Sequence, residues 1–86
     1  MSAGLPAVVR LPDLLAEPEV ARGLMARVPR GIPVRLRGGE DVVPTPAFAD
    51  ALMSAAAAAR VPSVTVQPET RDGWLEAAHR HHVALA

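Results

Sequence analysis

Three histidines stand within four residues near the end of the chain, His79, His81 and His82. His79 and His82 lie three apart, so on a helix they share a face and could chelate a metal ion. The chain has no cysteine, and only Glu76, one turn earlier, could complete the shell locally. The simpler alternative is a solvated helix end, where imidazolium is favoured by the helix dipole. On that balance no metal and no cofactor is expected. Gly38-Gly39 followed by Glu40-Asp41 has only the outline of a phosphate loop. It lacks the GxxxxGK(S/T) and GxGxxG patterns, and its acids would repel a phosphate. No GxSxG element is present, and Ser2, Ser54 and Ser63 have no nearby base in sequence. Asp41 and Asp50 could form a carboxylate pair after folding, with solvated surface acids as the simpler reading. Nothing here has the pattern of an enzyme active site, and a non-enzymatic protein is expected.

The segment from Thr45 to Met53 is the most informative for binding. Thr45-Pro46 is a strong helix start, with Thr as cap and Pro at the first helical position. A hydroxyl placed there can also receive a phosphate, because free backbone N–H groups and the helix dipole stabilise added negative charge. Simple capping is the rival role for Thr45. The candidate binding or phosphoacceptor residues are Thr45, Pro46, Phe48 and Asp50.

The elements that would carry these residues alternate. Ala7 to Leu11 reads as a strand closed by Pro12. Asp13 suits a cap, with one helical turn to Ala16, and a helix should follow from Pro18 to about Val28. Val20, Leu24 and Val28 recur every four residues there, as a core-facing stripe would. Ile32 to Leu36 is a second strand, with Pro33 at its start or at an edge. Gly38 to Asp41 is a turn, and Val42-Val43 resumes an extended path. A helix then runs from Pro46 to about Ala59, with Phe48, Leu52, Ala55, Ala56 and Ala59 on one face. Val61 to Val66 is a third strand with Val64 and Val66 pointing the same way. Thr70 or Asp72 caps a last helix, from Gly73 to His82, carrying Trp74, Leu75 and Ala78, and Val83 to Leu85 can close the sheet. The order βαβαβα predicts one α/β domain over residues 1–86, with a small, mainly parallel sheet and three helices. Helices mainly on one face would leave the other face needing cover from a partner.

Composition bounds the rest. Eighty-six residues, half of them apolar and 21% charged, fit a soluble globular domain, one only marginally able to bury a sufficient core alone. A protein partner or a homo-oligomer would help it. Nine basic residues, all Arg, balance nine acids. Neither a basic excess nor a basic stripe is visible, so nucleic acid is not expected as a partner. Arg without Lys, beside abundant Ala and Pro, points to a GC-rich bacterium. No apolar run approaches the roughly 20 residues of a membrane span. The first residues lack the pattern of a signal peptide. The expectation is therefore a cytoplasmic protein that does not enter a membrane.

From Leu14 onward the chain resembles the STAS superfamily (sulfate transporter and anti-sigma-factor antagonist domains), in particular its short STAS-like bacterial branch. The resemblance rests on Val20-Ala21-Arg22-Gly23-Leu24, on Pro33-Val34-Arg35-Leu36, and on the helix opening Phe48-Ala49-Asp50-Ala51-Leu52. The Ala-rich helix, the Val64-Thr65-Val66 strand and the final helix also fit. Antagonist STAS domains carry an Asp-Ser-Ser-Gly-like motif at a helix start, whose Ser is phosphorylated by a partner kinase. Here the matching stretch is Pro44-Thr45-Pro46-Ala47, with Thr45 at the phosphoacceptor position, Pro44 in place of the Asp and Ala47 in place of the Gly. The resemblance implies a regulatory protein-interaction module whose partner is an anti-sigma factor or a kinase-type ATPase. A small structural subunit of a larger bacterial assembly is the alternative from another class. An enzyme with a site between protomers is a third.

Overall fold

β-Branched runs and capped helical stretches alternate along the chain, and a computed structural model describing residues 5–38 and 42–86 shows how they pack. The elements are β1 (Ala7–Arg10), α1 (Pro18–Ala26), β2 (Val34–Arg37), α2 (Pro46–Ala58), β3 (Ser63–Thr65), a 3-10 turn (Pro68–Thr70), α3 (Arg71–Arg80) and β4 (Ala84–Leu85). The four strands form one parallel sheet in the order β1-β2-β3-β4. This is the α/β architecture expected from the alternation, with β4 as the closing strand. The turn expected at Gly38 to Asp41 lies, beyond Gly38, outside the described residues, and so does any pairing of Asp41.

Sequential strand order sends every crossover the same way round, so right-handed connections lay all three helices on one face of the sheet. Burial follows that rule. Val9, Val34, Leu36, Val64 and Val66 are buried under the helices, while Val8, Arg10, Arg35 and Arg37 on the alternate positions are exposed. Leu15, Val34, Phe48, Leu52, Met53, Val64 and Trp74 are the largest fully buried side chains. Phe48 and Trp74 meet edge to face, their ring centres 6.1 Å apart, and so fasten α2 to α3.

Helix α2 is the middle of the helical layer, packed against both α1 and α3. It is therefore buried over more than the single face expected: Phe48, Ala49, Ala51, Leu52, Met53 and Ala56 all lie inside. Its small alanines let the flanking helices approach closely. The stripe expected on α1 needs correction. Ala21, Met25 and Val28 are buried and Leu24 half-buried, while Val20 is 41% exposed. The inward face is rotated by one residue because Leu24 and Val28 are joined by Ala21 and Met25, not by Val20.

The helical turn expected from Asp13 to Ala16 does not form. Leu15 is buried, and its carbonyl accepts from the Thr45 N–H at 2.9 Å, so this stretch bonds to the next loop instead of to itself. Helix α1 starts at Pro18 with no side-chain cap. Helix α3 starts at Arg71, before the expected Gly73, and neither Thr70 nor Asp72 caps it; the Thr70 hydroxyl donates back to the Gln67 carbonyl. It ends two residues early for a local reason. His82 has φ 58°, and the His82 and Val83 N–H groups return to the carbonyls of His79 and Ala78. Arg60, with φ 57°, closes α2 in the same way, the Arg60 and Val61 N–H groups bonding the Ala57 and Ala56 carbonyls. Both ends are Schellman turns built on a non-glycine residue.

Candidate functional site

The starts of α2 and α3 lie side by side, and between them runs a groove of about 390 Å³. Val43, Pro44, Pro46 and Ala49 form one wall, Gly73 and Ala77 the other, and Asp72, Glu76 and Arg80 the charged rim. That volume is at the small end of ligand pockets, which run from about 300 to 1,000 Å³. It suits one or two inserted side chains better than a large cofactor. Val43 is 64% exposed, an aliphatic side chain offered at the mouth. Gly73 makes the close approach possible: a Cβ there would sit 2.9 Å from Val43 Cγ1 and 3.0 Å from Pro44 Cδ.

The four candidate residues divide sharply. Thr45 is exposed and is a working cap, its Oγ1 accepting the Phe48 N–H at 3.2 Å. The same hydroxyl donates to the Ala16 carbonyl at 3.5 Å, so it turns toward the loop before α1 and not into the groove. Pro46 carries no N–H and the Phe48 N–H is already taken, which leaves the Ala47 N–H to meet a ligand at this helix start. The set of backbone donors expected around Thr45 is thus narrower than the cap motif suggests. Pro46 lines the groove. Phe48 does not reach the surface: it is fully buried and supports the site from within the core, which corrects its place among binding candidates.

Asp50 is the hub of a polar cluster between α2 and α3. Its Oδ1 accepts from Arg80 Nη1 and from His81 Nε2, both at 2.8 Å, and Arg80 Nη2 in turn donates to Glu76 at 2.9 Å. An ionised carboxylate can only accept, so Nε2 of His81 carries the proton in this arrangement. The His81 hydrogen bond, and then the Arg80 hydrogen bond, hold the Asp50 carboxyl below the usual carboxylate range. This cross-link was hidden in sequence, since the partners lie thirty or more residues apart. The same contact separates the histidines. His81 faces Asp50, His82 forms the helix-closing turn and His79 lies exposed on α3. Among the described residues, no group of three or more His, Cys, Asp or Glu side chains is placed to hold a metal ion. Among them, too, no helix is long and apolar enough to cross a membrane.

An open parallel sheet usually binds its ligand at the point where the strand order reverses, since helices there pass to opposite faces and open a crevice. The order β1-β2-β3-β4 has no reversal, so the sheet supplies no such crevice. What the fold leaves at the strand ends is the shallow groove. Comparison with protein families, with curated proteins and with solved structures finds no match to this chain.

Proposed function

We propose that this chain is a non-enzymatic protein-interaction module, a STAS-like regulatory domain whose partner is an anti-sigma factor or a kinase-type ATPase. The partner docks in the groove between the starts of α2 and α3. One observation carries this reading: exposed Val43 and Pro46, backed by buried Pro44, form an aliphatic wall faced by the charged rim of Asp72, Glu76 and Arg80. An apolar centre within a polar rim is the composition of a protein docking site. Thr45 stands at the edge of that wall, where its cap fixes the direction in which α2 leaves the loop. A side chain inserted beside Val43 would be read by shape, and Asp72, which has no ion pair among the described residues, favours a basic neighbour on the partner.

The experiment is affinity purification from the native host with the wild type and with Val43→Asp and Asp72→Arg, both at exposed positions. Recovery of an anti-sigma factor or a kinase-type ATPase by the wild type, with at least about tenfold less recovered by folded variants, is the expected result. Equal recovery by all three chains would rule the groove out as the docking site.

A further inference from the structure

Among the described residues, no element covers the second face of the sheet. Val8, Arg35 and Thr65 stand in one row across β1, β2 and β3, and Arg10 and Arg37 stand opposite each other one step further along. All of these side chains lie on the face away from the helices, with Val8 57% exposed and the three arginines exposed. Asp13 lines a shallow depression with Arg10 and Arg37 at one end of the stripe, but it forms no ion pair with either. No ion pair among the described residues involves Arg10, Arg35 or Arg37, the bridges there being those of Arg80 and His81. The chain is neutral as a whole, so its remainder carries six arginines against nine acids. The neutral composition therefore conceals a basic stripe, in which the parallel register brings Arg10 beside the Arg35–Arg37 pair of β2.

We infer that this face docks an acidic amphipathic helix of a partner protein, independently of the groove. All-parallel sheets are found almost always with both faces covered, and here no described element covers one of them. Four strands about 4.8 Å apart make a face about 14 Å across, about 13 Å long at the four-residue β1 and β2 and shorter at β3 and β4. A helix of about ten residues, about 15 Å long and 10 Å wide, covers that area. Val8 on the β1 edge and Ala84 on the β4 edge offer it apolar contact, and Arg10, Arg35 and Arg37 on β1 and β2 offer its carboxylates bidentate donors. A second copy of the same face would set three arginines against three, which like-charge repulsion opposes. Single-stranded nucleic acid binds sheets by stacking bases on aromatic side chains. The chain has one Phe and one Trp, and both are buried under the other face.

The test uses the isotope-labelled chain and three probes: a helix-forming peptide with a leucine stripe flanked by glutamates, its lysine counterpart, and a uridine oligonucleotide. The glutamate peptide should bind saturably and shift the amides of residues 8–10, 35–37 and 65, while the lysine peptide should not bind. The combined variant Arg10→Gln, Arg35→Gln, Arg37→Gln should weaken that binding about tenfold or more, with Arg35→Gln alone giving a smaller loss in the same direction. The single variant carries the test should the triple one fail to fold. No binding of the glutamate peptide, or equal binding by folded variants, overturns the proposal. Tighter binding of the oligonucleotide assigns the face to nucleic acid, and self-association lost in Arg35→Gln assigns it to a second copy; either overturns the proposal. No groove residue enters these readouts, so the two interaction surfaces stand or fall separately.

Discussion

Thr45 has two rival roles, and its hydroxyl already performs one of them. It accepts the Phe48 N–H and also ties α2 to the Ala16 carbonyl. Removing it in Thr45→Ala should cost about 1 kcal/mol of stability, measured by urea unfolding, and Thr45→Ser should restore most of it. If Thr45→Ala is neutral in stability yet abolishes partner binding, the residue is a contact and not a cap. Asp50 makes a different prediction. Its carboxyl pKa is lowered by the hydrogen bonds from His81 and Arg80, so its stabilisation is present in full above the ordinary carboxylate range. It is lost as pH falls through the lowered folded value. The stability gap between wild type and Asp50→Asn should therefore hold at neutral pH and close in acid. A gap unchanged across that range would mean that the Asp50 hydrogen bonds do not form in solution. Asp50 was visible in sequence as one acid on a helix; its partners on the neighbouring helix were not.

Local chemistry was legible wherever one strong signal stood alone. Thr45-Pro46 marks the start of α2 to the residue, and Pro18 does the same for α1. The inward face of α1 was less legible. Ala21 packs inside although its side chain is small, while Val20, more apolar by type, stays at the surface. Periodicity alone cannot weigh a small buried residue against a large exposed one. The end of α2 fell within a residue of expectation, but the end of α3 escaped because His82 adopts the left-handed conformation that glycine would announce. Gly73 is the reverse case, a glycine inside a helix whose reason lies on another element. Replacing an exposed helical glycine by alanine normally stabilises by about 1 kcal/mol. Here the added Cβ would press on Val43 and on the ring of buried Pro44. Gly73→Ala should consequently lower the melting temperature and widen the groove. A rise would show that the Val43-Pro44 wall yields freely.

At the scale of the whole molecule, alternation of strand and helix was enough to anticipate a parallel sheet with helices over one face. The basic stripe opposite was not anticipated, because Arg10 becomes a neighbour of Arg35 and Arg37 only through the β1-β2 register. Nor could the groove be read from sequence, since its walls come from residues 43–49 and 72–80. The molecule thus presents two unlike surfaces, an aliphatic groove with a charged rim at the helix starts and, behind, an arginine-bearing sheet face that no described element covers. The first of these is the surface proposed to dock a protein partner. Hydrogen exchange of the chain, free and bound to the partner recovered from its host, tests this most directly. Slowed exchange concentrated at residues 42–49 and 71–77 is the predicted result. Unchanged exchange in both segments, in a complex that protects other parts of the chain, would contradict it.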